Sequence, residues 1–445
     1  MDRDADESVR PKPQLSVTDG VLLMCGMVIG AGIFRLPSLV AANTPTDVAF
    51  VSAWILGGVV SLCGALVYAE LSSRYPETGG EYAFLARGIG RGTAFVFAWS
   101  RMTVIQTGAI VAVAFVFGDY ASQMMRLGGN SSAVYAAIAV LALTALNVLG
   151  TRESKNLQKA AQLLLFAGLI FVGIAGLVAG EPSRAPAAGT AGPFGLAMIF
   201  VLFAYGGWNE AAYIAGEVRD PRRNMLRILV IGISTVTALY LLVNLGYLFA
   251  LGLDGMKQSK AVAADAVRVL AGEKSALVIA LIVCVAALTT MNAAIFTGAR
   301  TNYALGRDFA FFRRIGIWSE RGSTPANALL LQGGIALVLV WAASTTPDGF
   351  SAMVAYTAPV FWTFFYLTAI TLFLFRERGG EAPAFRMPLY PHVAIAFVVM
   401  CIYMLYSSID YIRNPDYGPK FGNLVLAGLA IMLAGIPLYL VARRK

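Results

Sequence analysis

The stretch that decides the fold is GMVIGAGIF at residues 26–34, which places three glycines inside the first long apolar block. Glycine weakens a helix because it has no side chain and loses the most backbone freedom on folding. A second interruption, FAYGGWN at residues 203–209, lies in the sixth apolar block. Either one alone is explained by close helix packing, since small residues are common at membrane helix interfaces. Their corresponding places in two five-block halves are instead typical of inverted repeats that enclose a substrate site between discontinuous helices.

The composition around these two stretches is that of a membrane protein. The chain has 445 residues, of which 58% are hydrophobic and 13% charged, far from the balance of a soluble domain. The apolar residues form blocks of roughly 20, enough to cross about 30 Å of hydrocarbon as helices. We predict spans at 17–41, 48–73, 92–121, 132–150, 158–180, 195–215, 225–254, 275–304, 325–344, 350–376, 390–411 and 421–442.

The basic residues orient these twelve spans. About three times as many lysines and arginines lie on the side of the N-terminus as on the other, and such residues mark cytoplasmic loops. We therefore predict a multi-pass protein of the plasma membrane with a cytoplasmic N-terminal tail at 1–16 and a cytoplasmic C-terminus. This distribution also accounts for the net charge of +9 without any nucleic-acid partner.

The two interruptions suit an amino acid as ligand. Unwinding a helix frees N–H groups at the start of its second half, where the helix dipole attracts a carboxylate. It also frees carbonyl groups at the end of the first half, and these accept hydrogen bonds from an ammonium group. One break of this kind can therefore bind both the carboxylate and the ammonium group of a zwitterion through backbone groups alone.

Four pieces of the sequence carry a family resemblance, and they stand in the family's order: GMVIGAGIF at 26–34, YAELSSRYPETGGEY at 68–82, FAYGGWNEAAYIAGEVRDPRRN at 203–224 and TGARTNYALGRD at 297–308. The chain resembles the amino acid–polyamine–organocation (APC) superfamily of transporters, and within it bacterial amino-acid permeases related to the L-type amino-acid transporters. The resemblance implies an all-α polytopic membrane protein with the leucine-transporter-like fold. Its two inverted five-helix repeats would span 17–180 and 195–376, with helices 1 and 6 broken, and two further helices would follow at 390–442.

The resemblance also implies a substrate site. Its carboxylate would bind at the unwound segment of the first helix, and its ammonium group at carbonyls of the sixth. The residues so predicted are Ile29, Gly30, Ala31, Gly32, Ile33, Phe203, Ala204, Gly206, Gly207 and Trp208. Trp208 would stand at a gate or in the side-chain pocket, or would simply pack against its neighbours.

Sodium is the candidate coupling ion. In sodium-coupled members of this fold the ion binds between helices 1 and 8, and the matching positions here are Gly26, Ile29, Ala286, Thr289 and Thr290. The two threonines share a helical face, although hydroxyls in membrane helices commonly bond to their own backbone. Many L-type relatives carry instead a lysine in the fifth span, at the position that aligns with Leu165. Coupling to protons, or plain exchange, therefore stays open, and no other cofactor is predicted.

Several charged residues lie in or near the spans, and two of them, Glu210 and Arg35, have alternative predicted roles. Glu210 would select a cationic substrate or take a proton, or else pair with a neighbouring helix. Arg35 would serve an external gate or attract anions, or else snorkel or pair with an acid, and Arg101 is expected to snorkel. Glu70 and Glu217 are expected to tether loops.

The sequence thus predicts a secondary transporter that moves a neutral amino acid across the membrane by alternating access, with a permease for cationic amino acids or polyamines as the alternative. A polytopic enzyme would need a catalytic constellation, and no HExxH, GxSxG or GxxxxGK[ST] pattern is present. A channel would need a pore-loop repeat. The loop at 121–132 has no cysteine for a disulfide-linked heavy subunit, so none is predicted.

Overall fold

Helices dominate the computed structural model, which describes residues 15–75, 80–150, 155–180, 192–212, 218–320, 322–379, 382–413 and 418–442. These residues form sixteen α-helices and no β-strand. The first eight are α1 (Val17–Val28), α2 (Leu36–Ala42), α3 (Asp47–Arg74), α4 (Gly80–Gly88), α5 (Arg91–Ser100), α6 (Gln106–Met124), α7 (Ser131–Leu149) and α8 (Lys155–Ala179). The others are α9 (Phe194–Ala204), α10 (Trp208–Ala212), α11 (Pro221–Gln258), α12 (Val262–Asp308), α13 (Ala326–Ser344), α14 (Gly349–Arg378), α15 (His392–Asp410) and α16 (Gly418–Ala442).

Ten helical stretches of the described chain are long and apolar enough to cross a membrane. One of them, Arg91–Met124, joins α5 to α6 through a π-helical turn. Two more crossings come from the broken pairs α1 with α2 and α9 with α10, whose first halves are the short apolar helices Val17–Val28 and Phe194–Ala204. Twelve crossings were predicted, and the all-α polytopic fold with broken helices 1 and 6 is confirmed. The division into two inverted repeats stays a prediction.

The first broken helix is interrupted over the seven residues between α1 and α2, 29–35. A capping box of Ser16 and Asp19 starts α1, and Ile29 ends it in an extended conformation (φ −83°, ψ 100°). Gly30 continues the extended chain before a single 3₁₀ turn, Ala31–Phe34, leads through Arg35 into α2. The helix dipole is therefore interrupted in the middle of the crossing.

The second broken helix turns more sharply. Its first half, α9, ends at Ala204, and Gly207 takes a positive φ of 106° before α10 begins. A side chain with a Cβ is strained at such a φ, so the glycine fixes where this helix breaks. The structure describes α10 only as far as Ala212.

Several elements were not predicted from the sequence. The short helix α4 precedes the third crossing, and a π-helix occupies Arg101–Ile105 within it. Helices α11 and α12 extend past the predicted spans because each contains one non-helical glycine, Gly252 (φ 64°) in α11 and Gly272 (φ 82°) in α12, that turns the chain. Helical segments thus continue where loops were expected.

Glu70 ties two distant crossings together, as the sequence predicted. Its side chain is fully buried and accepts two hydrogen bonds from Arg376, at 2.8 and 2.5 Å. The Met387 backbone N–H adds a third at 2.9 Å. This carboxylate therefore fixes the end of α3 to the end of α14 and to the segment after it. The other predicted tether, Glu217, lies outside the described residues.

Candidate functional site

The two breaks lie against each other. A methyl group built on Gly207 would overlap the carbonyl oxygen of Met27 and come within 2.9 Å of its carbonyl carbon and 3.3 Å of Val28 Cα. The backbone of the second break therefore packs directly on the end of α1, and only glycine permits so close an approach. The structure thus brings together the two segments that the sequence predicted as one site.

Tyr240 of α11 joins the same two helix ends. Its buried hydroxyl lies 2.9 Å from the carbonyl oxygen of Ala204 and 3.2 Å from that of Val28. Both carbonyls lie at helix ends, where no backbone N–H is available to them. Sequence reasoning missed Tyr240, because nothing local marks one tyrosine among the 18 of the chain.

The first break offers backbone donors. The N–H groups of Gly30, Ala31 and Gly32 make no hydrogen bond to any other group of the described chain. The side chains of Ala31 and Ile33 are completely buried, and the polar groups that this segment offers are those of its backbone. Unpaired N–H groups at the start of a helical turn suit a carboxylate.

The second break leaves open space at one glycine. A methyl group built on Gly206 would approach only the Phe203 carbonyl oxygen, at 3.1 Å, three residues back in the same chain. Gly30 is similarly uncrowded, its nearest neighbour being Thr290 at 3.6 Å. Of the four glycines of the predicted site, Gly207 therefore packs against backbone, Gly32 would meet the end of the Leu36 side chain at 3.0 Å, and Gly206 and Gly30 border free space.

Trp208 packs among aromatic rings. It is 3% exposed, and its ring centroid lies 5.3 Å from that of Tyr68, 5.1 Å from Phe365 and 5.8 Å from Phe397. This is the packing role that the sequence also allowed for it. Its predicted place in the side-chain pocket stays a prediction.

Arg35 is held in a buried cluster of charges at the start of α2. Its guanidinium lies 3.0 Å from Asp348 Oδ2 and 3.6 Å from Asp119 Oδ2, and it donates to the Ser259 carbonyl oxygen at 3.0 Å. Asp348 lies just before α14, and although burial acts to raise the pKa of its carboxyl, Arg35 and a hydrogen bond from Ser351 hold that pKa below its ordinary value. Of the readings left open for Arg35, the structure shows pairing with acids.

Arg101 does not snorkel, and that prediction is wrong. Its guanidinium lies 3.3 Å from Glu210 Oε1 and 3.6 Å from Glu81 Oε2. Glu81 also accepts hydrogen bonds from Tyr68 at 3.0 Å and Asn209 at 3.4 Å. The π-helical turn and α4 bring these groups together, and neither could be recognised in the sequence. Glu210 accordingly pairs with a neighbouring helix, one of its two predicted roles.

Three of the five predicted sodium ligands, Gly26, Ile29 and Thr289, have hydrogen-bond partners within the protein. The amide nitrogen of Gln162, in α8, lies 3.4 Å from the Gly26 carbonyl oxygen and 3.5 Å from that of Ile29. The Thr289 hydroxyl donates to the Val285 carbonyl oxygen at 2.9 Å. Thr290 faces the first break, since a methyl group built on Gly30 would lie 3.6 Å from its Cγ2 atom. The residue of the fifth crossing that reaches α1 is thus Gln162, one turn before the aligned position, Leu165.

One cavity lies away from the two breaks. Its volume is about 580 Å³, and it adjoins the Glu70 tether at the ends of α3 and α14. Its lining residues are Arg74, Phe373, Arg376, Glu377, Gly379, Arg386 and Tyr390. None of them belongs to the predicted substrate site.

Fold and site define a polytopic transporter with two broken helices that contact each other at their breaks. The family model described as amino acid permease matches residues 15–434, so the chain belongs to this family of the APC superfamily. It is 29% identical to the b(0,+)-type amino acid transporter 1 of Mus musculus, over 94% of this chain and 86% of the relative.

Other relatives match over similar lengths. The serine/threonine exchanger of Bacillus subtilis (strain 168) is 26% identical over 98% of both chains. The large neutral amino acids transporter small subunit 2 of Rattus norvegicus is 28% identical over 96% of this chain and 80% of its own. The family and its relatives are transporters, and amino-acid transport is the activity of the class.

Proposed function

We propose that this protein carries a neutral α-amino acid across the plasma membrane by alternating access, bound between its two broken helices. The observation that supports it is the meeting of the breaks. The first offers the unpaired N–H groups of Gly30–Gly32 for a carboxylate, and the second offers carbonyls and the free space beside Gly206 for an ammonium group. Ile29, Ile33 and Phe203 would border the side chain, and Trp208 would back it.

The proposed neutrality of the substrate rests on charge pairing. Glu210, the carboxylate nearest to the second break in sequence, pairs with Arg101. A cationic side chain would therefore meet a carboxylate that already has a partner. Two relatives are named for neutral amino acids, one for serine and threonine and one for large neutral amino acids.

We further propose that transport proceeds by exchange, without Na⁺. Unwound carbonyls coordinate Na⁺ in sodium-coupled transporters of this kind, but the Gly26 and Ile29 carbonyls already face the amide nitrogen of Gln162. An ion at Gly26, Ile29, Ala286, Thr289 and Thr290 would have to displace that amide. The Bacillus relative is named an exchanger. The distribution of basic residues supports a cytoplasmic position for both termini.

Counterflow in proteoliposomes tests the function. Vesicles loaded with an unlabelled neutral amino acid should take up the same labelled amino acid from outside, equally fast in sodium and choline buffers and with no pH gradient. Uptake that needs Na⁺ would instead support the ion site, and Thr289→Val and Thr290→Val should then each raise the Na⁺ concentration for half-maximal uptake. Absence of counterflow for all twenty amino acids would overturn the proposed function.

A further inference from the structure

Three ionised groups from three separate elements meet beside the second break. Arg101 comes from the third crossing, Glu81 from α4 and Glu210 from α10. The two carboxylates contact one guanidinium, at 3.6 and 3.3 Å. Both carboxylates thus share one guanidinium. We call this group of three the Arg101 cluster.

The two carboxylates of the Arg101 cluster differ in their surroundings. Glu81 is 4% exposed and also holds hydrogen bonds from Tyr68 and Asn209. The side chain of Glu210 is 46% exposed, and Arg101 is its only cationic partner in the described chain. Arg101 thus stands between a buried carboxylate that has several donors and an open one that has a single partner.

The Arg101 cluster adjoins the second break, because Glu210 is the third residue of α10. Glu210 follows the break directly, and its N–H donates to the Gly207 carbonyl oxygen. An ionised carboxylate is very unfavourable against lipid, so the half-exposed side chain of Glu210 suits a surface that borders water.

We propose that Arg101 determines the charge selectivity of transport, by compensating the Glu210 carboxylate where it borders the substrate passage. This rests on the proposed function, since it assumes that amino acids pass the second break. With Arg101 in place, a lysine side chain gains no unpaired carboxylate. Without it, the half-exposed Glu210 carboxylate has no cationic partner in the described chain and favours a cationic side chain. Arg101 acts through Glu210 and need not touch the substrate.

The test compares substrates in one set of variants. Inhibition of leucine counterflow by lysine is measured in proteoliposomes for the wild type, Arg101→Gln, Arg101→Lys and the double variant Arg101→Gln/Glu210→Gln. Arg101→Gln should lower the lysine concentration for half inhibition at least about tenfold, while leucine itself is still carried. Arg101→Lys keeps the charge and should keep the wild-type value. The double variant removes the freed carboxylate and should lose most of the gain.

If the Arg101→Gln protein fails to fold, a substitution of the other partner, Glu210, tests the same proposal. Glu210→Gln is a nearly isosteric change at a half-exposed side chain, and it frees part of the Arg101 guanidinium toward the passage. It should leave leucine affinity within about threefold and make glutamate inhibit at least about tenfold more strongly. If the pair of Arg101 and Glu210 were purely structural, the substitutions would change expression and transport rates. They would not change how strongly lysine or glutamate inhibits relative to leucine.

Several results would overturn the proposal. They are unchanged lysine inhibition in a leucine-transporting Arg101→Gln protein, a gain that persists in the double variant, and unchanged glutamate inhibition in Glu210→Gln. Wild-type protein that carries lysine as well as leucine would do the same. A wild type that carries no amino acid is a different outcome, because it overturns the proposed function itself.

Discussion

The hydroxyl of Tyr240 lies 2.9 Å from the carbonyl oxygen of Ala204, the last residue of α9, and 3.2 Å from that of Val28, the last residue of α1. One side chain of α11 therefore holds the ends of both broken helices. The position of one break relative to the other depends on this residue as well as on the packing of Gly207.

Tyr240→Phe should accordingly destabilise the protein, because it leaves buried carbonyl groups without their donor. We expect a loss of about 1–3 kcal/mol, seen as a lower apparent melting temperature in detergent, and slower uptake. Tyr247→Phe is the matched control. Tyr247 is equally buried on the same helix, but its hydroxyl has no partner in the described chain, so its removal should change little. Equal effects of the two substitutions would contradict this role of Tyr240.

The two adjacent glycines of the second break should respond differently to alanine. Gly207→Ala forces a positive φ on alanine and a Cβ into the backbone of Met27, at a strain on the order of 1–3 kcal/mol. Gly206→Ala meets only a carbonyl of its own turn. The first change should reduce the yield of folded protein in size-exclusion chromatography, and the second should leave it near wild type. If Gly206→Ala reduced the yield of folded protein more than Gly207→Ala, the close contact between Gly207 and Met27 would be contradicted.

The charges around Arg35 should hold the protein closed at α2, on the side that the basic residues predict to be extracellular. Removing one partner of a buried ion pair is strongly unfavourable, so Asp348→Asn should favour conformations that open this side. A cysteine introduced at buried Thr44, next to the end of α2, should then react faster with a membrane-impermeant maleimide added outside. Asp254→Asn, in an exposed pair with Lys257, is the control and should leave the rate unchanged. An unchanged rate of maleimide reaction in Asp348→Asn would show that the charges around Arg35 do not hold this side closed.

The Glu70 tether should matter for stability and not for selectivity. Glu70→Gln leaves the Arg376 guanidinium without its carboxylate, and we expect a loss of about 3 kcal/mol in apparent stability. Glu377→Gln changes an exposed carboxylate one residue after Arg376 in α14 and should be nearly neutral. If the two variants melt together, the buried contact contributes nothing measurable.

The sequence predicted those features that repeat along the chain or break a pattern. Apolar blocks set the twelve crossings, and the paired glycines located both breaks. It could not predict the π-helix at Arg101 or the positive-φ turn at Gly272, because neither has a local signature. The Arg101 cluster depends on both α4 and that π-helix, so Arg101 was misjudged while Glu210 was recognised. Tyr240 and Gln162 act through contacts between distant crossings, which composition and spacing do not reveal.

The central claim is that the substrate binds between the two breaks, and its most direct test is the dissociation constant of a transported neutral amino acid for purified Gly32→Val and Gly206→Val. Both glycines lie in unwound backbone, and a branched side chain at either would cover the groups that the carboxylate and the ammonium need. We predict binding weaker by at least about tenfold, or 1.4 kcal/mol, in variants that remain monodisperse. Wild-type affinity in both variants would contradict the claim.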